Sequence, residues 1–427
     1  MAKVTIIGGG LAGSEAAYFL LKRGYEVTLF EARPSYVDNA HQSDLLGELV
    51  CSNSLKSKQL DNACGLLKEE IRRLGSIMME ASGKSEVPAG NALSVDRVSF
   101  ASYITNRLLS FPAFHLVREE VCSIPDDGPV IIATGPLTSP GLLESLSSLA
   151  GEKALSFFDA SAPIVKRESI DFSIAYFKSR YGQDDASYIN CPFTKEEYYR
   201  FVNELLSAKK ALVHQFDTAY FEGCLPVEVI ASRGMETLRH GPLKPFGLET
   251  PEHPKPYAVA QLRQDSLLGD LYNIVGFQTN LTYPEQKRVF SLIPGLGKAE
   301  FVRYGLMHRN SYLDSPSCLN EDFSFKANPN IFLAGQLTGV EGYVESAASG
   351  LVSAIYLARK LEGKPFYPLP KDTILGALLY YVTHACGRRL EPMNANWALI
   401  PSSRKKSRDI DVMRALNSLD DFAKRAL

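Results

Sequence analysis

The chain has 427 residues, enough for two or three folded units, and its 45% apolar and 22% charged composition is that of an ordinary globular protein. A formal net charge of −2 excludes a global positive field that recruits nucleic acid, so any such binding must come from a local patch. No apolar run reaches the roughly 18 to 20 residues that span a bilayer, and the cysteines at 51, 64, 122, 191, 224, 318 and 386 form no CxxC pair, so a cytoplasmic protein with neither membrane anchor, metal site nor disulfide framework is expected.

In chain order, residues 4–7 are short and β-branched and read as a strand. Gly8, Gly9 and Gly10 break the apolar stretch and Glu15 follows soon after, which fits a strand and turn rather than a signal peptide. Residues 12–23 have helical composition, with Gly24 placed to end the helix at the C′ position. Residues 26–30 alternate and return as a parallel strand, closing a βαβ unit. Helices are predicted over 60–74 and 98–109, and strands over 115–121 and 129–133, the last stopping at Thr134-Gly135. From 191 to 309 the texture changes to aromatics, prolines and alternating segments such as 271–277. Nucleotide-binding character returns at 330–335, and residues 346–361 predict an amphipathic helix. The cluster from Arg404 to Arg408 reads as solvated surface. The expected fold is α/β: a Rossmann-type dinucleotide-binding domain split over 1–187 and 321–427, with an inserted α+β domain over 188–320.

Gly8-Gly9-Gly10-Leu11-Ala12-Gly13 matches G-x-G-x-x-G between a strand and a helix, where backbone N–H groups and the helix dipole meet a pyrophosphate. Gly8 allows the turn, Gly10 lets phosphate approach and Gly13 lets helix and strand pack closely. Glu31, about 20 residues on at the end of the second strand, is placed to accept from a ribose hydroxyl. Two later segments distinguish FAD from NAD. Ile131-Ile132-Ala133-Thr134-Gly135 resembles the strand end of flavoproteins with two dinucleotide folds. Asn330-Ile331-Phe332-Leu333-Ala334-Gly335-Gln336 resembles their late motif at the flavin ribityl, with Gln336 where Asp is usual. Gly339 to Glu345 then enters a helix through Gly342 and Tyr343, and its positive end suits the pyrimidine edge of reduced flavin.

Gly8 to Ala16 (GGGLAGSEA), Leu49 to Ser54 (LVCSNS), Phe221 to Glu228 (FEGCLPVE) and Gly339 to Gly350 together resemble the folate- and FAD-dependent tRNA uridine-5-methyltransferases, the TrmFO family. The likeness runs over essentially the whole chain, including Leu306 to Tyr312 and Met393 to Asn396. The related MnmG/GidA proteins share the Gly-rich start but carry an extended C-terminal helical domain. The resemblance implies transfer of the methylene of 5,10-methylenetetrahydrofolate to C5 of the T-loop uridine of tRNA, forming ribothymidine. It further implies that the carbon travels by way of the flavin, that reduced FAD supplies electrons, and that NADH or NADPH re-reduces it.

C5 of uracil is a poor nucleophile until a thiolate adds at C6, so this chemistry asks for an activated cysteine and a base for the C5 proton. By motif, the resemblance assigns Cys224 as the C6 nucleophile and Cys51 as its partner near the flavin, with the two roles open to exchange. Cys224 sits in a loop-like setting between Gly223 and Leu225-Pro226. Cys51 precedes Ser52-Asn53-Ser54, a cap-like run where a helix N-terminus would lower a thiol pKa. Cys386 is two residues from His384, a spacing that puts them on different helix faces, and is read as a plain thiol like the rest. His308, Arg309 and Asn310 suit a flat, glutamate-tailed pterin, and Arg233, Arg239, His240 and Lys244 with Phe246 form a local basic stretch for RNA phosphates.

Two other classes compete. A flavin-dependent thiol or small-molecule oxidoreductase without RNA would place a second redox cysteine close to Cys51, yet the next is Cys64. A non-catalytic RNA scaffold leaves both motif cysteines without a role. Within the first class, a ribosomal RNA uridine is an alternative to tRNA.

Overall fold

The computed structural model describes residues 2–36, 40–151, 155–180, 188–211, 225–305, 307–385, 390–400 and 408–427, with 155–160 and 307–309 described as backbone alone. The first sheet is parallel throughout. Its strands lie in the order Ile331–Leu333, Val130–Ile132, Lys3–Ile7, Glu26–Phe30, Phe114–Val117. Parallel neighbours need crossovers, and the helix Leu11–Lys22 supplies the first, ending where Gly24 takes φ +83° beyond the Arg23 cap.

Residues 346–361 were expected to form an amphipathic helix, and the helix Tyr343–Leu361 is instead buried at every position from Val344 to Arg359. Its small residues explain this. A Cβ on Gly350 would stand 2.1 Å from the Ala12 carbonyl, so the two helices approach closer than side chains otherwise permit. Leu351, Val352 and Ile355 join the core of the first sheet.

A second, antiparallel sheet takes its strands in the order Tyr176–Phe177, Tyr188–Phe193, Ala258–Gln264, Leu271–Ile274, Ile164–Lys166, Phe301–Arg303. It carries its own core, centred on Phe193, Tyr198, Phe201, Phe277 and Phe290. Strands Ile164–Lys166 and Tyr176–Phe177 belong to this sheet although they lie upstream of the expected boundary at 188. The reason is pairing: Ile164–Lys166 is an interior strand that binds Leu271–Ile274 on one side and Phe301–Arg303 on the other. The chain crosses between the two units at the paired strands Leu155–Ala160 and Met307–Tyr312. No described helix is long and apolar enough to cross a membrane.

Candidate active site

The turn after Lys3–Ile7 is built for close backbone approach. A Cβ on Gly13 would lie 1.9 Å from the Gly8 carbonyl, and Gly8 itself has φ +104°. Above Gly10, by contrast, no atom lies within 4 Å of an added Cβ, and Gly10 is the N-cap of Leu11–Lys22. The helix therefore presents its N–H end to open space, the geometry that receives a pyrophosphate. Glu31 lines the same pocket with Gly8, Gly10, Val121, Thr134 and Thr138. Its Oε2 accepts the Gly9 N–H at 2.9 Å, and its Oε1 accepts from the Arg33 N–H and Nε at 3.1 and 2.9 Å. Burial alone would raise the Glu31 pKa; the Arg33 guanidinium and the two N–H donors outweigh it and hold the carboxyl below its usual range.

Ala133 and Thr134 follow Val130–Ile132 into this pocket, with the Thr134 hydroxyl 2.6 Å from that of Thr138 and Gly135 at φ +70°. Gly335 (φ +74°) leaves the neighbouring strand beside Ala12, its N–H held by the Ser349 hydroxyl at 3.1 Å. Gln336 turns its side chain to Glu341, Nε2 to Oε2 2.8 Å. Gly8 and Gly10, Gly135 and Gly335 thus follow the carboxyl ends of three neighbouring strands, and the pocket lined by Gly8, Gly10, Glu31 and Thr134 fits part of a dinucleotide.

Cys51 is half-buried where three parts of the molecule meet. The Tyr343 hydroxyl, at the start of the buried helix, accepts the N–H groups of Cys51 and Ser52 at 2.7 and 3.1 Å. Arg97 donates to the carbonyls of Leu49 at 2.8 Å and Val50 at 3.4 Å, and pairs with Asp265 at 3.1 Å. Arg303, from the second sheet, donates to Val50 at 2.7 Å, and Arg263 reaches Ser52 Oγ at 2.8 Å and Asn53 Oδ1 at 3.2 Å. The expected helix N-terminus at Cys51 is not there: residues 52–54 lead into the strand Ser54–Ser57, because Asn53 bonds Val95 and Gln264 carbonyls rather than capping a helix. The positive field comes instead from Arg97 and Arg303, both of which couple electrostatically to Cys51. Burial pushes the Tyr343 hydroxyl up, and Cys51 adds to this, so it stays protonated.

A second group went unseen in the sequence. Lys56 Nζ pairs with Glu345 Oε1 at 3.2 Å, and the Ala395 N–H donates to the same oxygen at 3.0 Å. Lys68 donates to the carbonyls of Leu55 and Cys64 at 2.7 and 2.9 Å, and burial lowers it to about 8. Burial raises the Cys64 thiol. Only the place of Glu345 in the first turn after Gly342 signals this cluster in the sequence.

Cys224 lies outside the described residues, but the end of its motif is firmly anchored. Glu228 is buried in the helix Val227–Ser232, accepting from the Asn280 N–H at 2.8 Å and the Thr279 hydroxyl at 2.9 Å. His308 and Arg309 are described as backbone only, in register with Asp159 and Phe158, and Asn310 is buried. The basic stretch is not a uniform phosphate-binding strip. Arg239 pairs with Glu236, donates to the Tyr257 carbonyl at 2.8 Å and lies 3.7 Å above the Tyr257 ring. Lys244 stands over the ring of exposed Phe246 at 5.8 Å, Arg233 caps the C-terminus of Val227–Ser232, and His240 ends the next short helix. Among the described residues, no group of three His, Cys, Asp or Glu is arranged to hold a metal ion.

The family Glucose inhibited division protein A matches residues 3–365. The protein named methylenetetrahydrofolate--tRNA-(uracil-5-)-methyltransferase TrmFO from Lactobacillus gasseri is 52% identical over 427 residues, covering 98% of both chains. The protein of the same name from Staphylococcus carnosus is 51% identical, again with 98% of each chain covered. Among solved structures, Aquifex aeolicus GidA matches with a TM-score of 0.73 at 18% identity, over 99% of this chain and 75% of that one. At that identity the last likeness speaks for the fold alone.

Proposed function

This chain belongs to the TrmFO family of GidA-related proteins, and on that premise we propose that it methylates C5 of a tRNA uridine with the one-carbon unit of 5,10-methylenetetrahydrofolate. The target is the T-loop uridine and the work is cytoplasmic. The cradle of Gly8, Gly10, Glu31, Thr134, Gly135 and Gly335 holds FAD. Bound there, FAD would supply the two electrons that turn a methylene into a methyl and a site by which the carbon travels, with NADH or NADPH as the source of those electrons.

The chain's own residues supply the rest. The Cys224 thiolate adds to C6 of the uracil, which places negative charge on the ring and makes C5 attack the methylene carbon. Cys51 takes the C5 proton as the carbon's bond to its nitrogen donor breaks; once two electrons and a proton have made the carbon a methyl, loss of the Cys224 thiolate from C6 restores the C5=C6 double bond. Arg97 and Arg303 bring guanidinium charge to the Cys51 loop, while Tyr343 fixes its backbone. Arg97 also makes a buried pair with Asp265, which holds the second sheet against the Cys51 loop.

The observation that carries this reading is the position of Cys51, between the start of the buried helix beside the dinucleotide cradle and the arginines of the second sheet. The test is to incubate the purified protein with unmodified tRNA, methylenetetrahydrofolate and NADPH and to assay 5-methyluridine. No methylated base in tRNA refutes the proposal; methylation of ribosomal RNA in its place corrects the substrate.

A further inference from the structure

Tyr283 opens the helix Tyr283–Phe290 and is 50% exposed. Its ring stacks on Tyr304 with centroids 5.2 Å apart and planes 19° apart, and Tyr304 stacks on Phe301 at 5.6 Å and 11°. The stack runs outward from the second core, where Phe301 packs, through half-buried Tyr304 to exposed Tyr283, whose outer face has no described ring on it.

The stack is held rigidly. Buried Gln286 grips the backbone next to Tyr304 with two hydrogen bonds: the Gly305 N–H donates to its Oε1 at 2.7 Å, and its Nε2 donates to the Gly305 carbonyl at 2.9 Å. Phe301 is in the edge strand of the second sheet, two residues from Arg303, whose guanidinium touches the Cys51 loop. Two described residues, Ala211 and Val227, bond the chain just before Tyr283. The Ala211 N–H donates to the Asn280 carbonyl and the Val227 N–H to the Gln278 carbonyl, both at 2.7 Å.

Cations flank it on two sides. Exposed Lys209 and Lys210 run alongside residues 281 and 282, and exposed Lys287 stands one turn along the helix from Tyr283. Glu285, between them, pairs with Arg288 at 2.7 Å and also faces Lys209, so Lys210 and Lys287 carry most of the unbalanced charge. A flat open ring face with positive charge before and after it matches one base of a single strand, which has a phosphate on each side. Folate carries its carboxylates on a single tail and matches it less well.

We propose that Tyr283, backed by Tyr304 and Phe301, is a platform on which an unpaired base of the RNA stacks while the neighbouring uridine is presented to the cysteines. This rests on the RNA-methylating reading above. The experiment uses the FAD-loaded protein and labelled unmodified tRNA, with binding read by fluorescence anisotropy. Tyr283→Ala and Tyr283→Leu are expected to weaken binding roughly tenfold to a hundredfold. Tyr283→Phe, which keeps the ring, is expected to bind within about twofold of the parent. Flavin content and the melting curve serve as folding controls, and the Leu variant keeps the bulk should the Ala variant fold poorly. An unchanged tRNA Kd in Tyr283→Ala or Tyr283→Leu overturns the platform, as does a raised KM for methylenetetrahydrofolate with the tRNA Kd unmoved. A parent protein that neither binds nor methylates RNA refutes the underlying reading and the platform with it. A parent that methylates tRNA and an Ala variant that binds it equally well refute the platform alone.

Discussion

The hydroxyl of Tyr343 accepts the backbone N–H of Cys51 at 2.7 Å across 292 residues of sequence, and the Ser52 N–H as well. One side chain at the start of a buried helix thus sets the position of a reactive loop. Removing an acceptor from two part-buried donors costs about 1–3 kcal/mol each when water does not replace it. Tyr343→Phe is expected to lower kcat about tenfold, about 1.4 kcal/mol, with little change in KM for tRNA. Steady-state kinetics of 5-methyluridine formation checks this, and an unchanged kcat would remove Tyr343 from the positioning role.

The two cysteines are expected to differ in the size of their effects. Cys224→Ala should give no detectable 5-methyluridine, since nothing else activates C5. Cys51→Ala should lose about a hundredfold or more, the range for a positioned proton acceptor. Mass analysis of digested tRNA reads both, and full activity in either variant withdraws that residue's role.

Two glycines in one turn should separate folding from cofactor binding. Gly13→Ala drives a Cβ to 1.9 Å from the Gly8 carbonyl and should yield little folded protein. Gly10→Ala meets no atom of the chain within 4 Å, so the apoprotein should melt as before while FAD affinity falls at least tenfold. Flavin absorbance after desalting and a melting curve of each apoprotein make the comparison. A Gly10→Ala protein that keeps its flavin would displace the pyrophosphate from this turn.

Two buried carboxylates make the fold sensitive to alkali. Glu70 accepts the N–H groups of Ile374 and Leu375 at the start of a late helix, and Glu15 those of Ile77 and Met78. Burial raises Glu70 to about 8 and Glu15 to about 7 from an ordinary 4.5. Raised carboxyls bind more protons folded than unfolded, so stability is full below pH ~4.5 and is lost as pH rises towards 8, at about 1.4 kcal/mol per unit for each group. Denaturant melts between pH 5 and 8 should show this decline, and Glu70→Gln should flatten it above pH 7. A parent protein more stable at pH 8 than at pH 5 contradicts it.

The cofactor half of the molecule was readable because its signals are local. A strand, a glycine turn and a helix occupy consecutive residues, and Gly24 and Glu31 fall where the unit requires them. The environment of Cys51 was not readable, since Arg97, Arg263, Asp265, Arg303 and Tyr343 come from four separate stretches of chain with no shared period. The helix Tyr343–Leu361 was misread as amphipathic because Ser346, Ser349 and Ser353 look polar in sequence; inside, Ser349 and Ser353 hydrogen-bond Gly335 and Leu333 backbone groups and count as core. In the basic stretch, Glu236, three residues before Arg239, and Tyr257, 18 residues after it, hold the guanidinium, a pairing that no local pattern announces.

The second sheet is one unbroken run of chain, while the first needs strand Ile331–Leu333 to lie against Val130–Ile132. During synthesis every described strand of the second sheet is therefore made before the strand Ile331–Leu333 and the helix Tyr343–Leu361 that complete the first. The second sheet can therefore pair along its length while the first still lacks an edge strand and its buried helix.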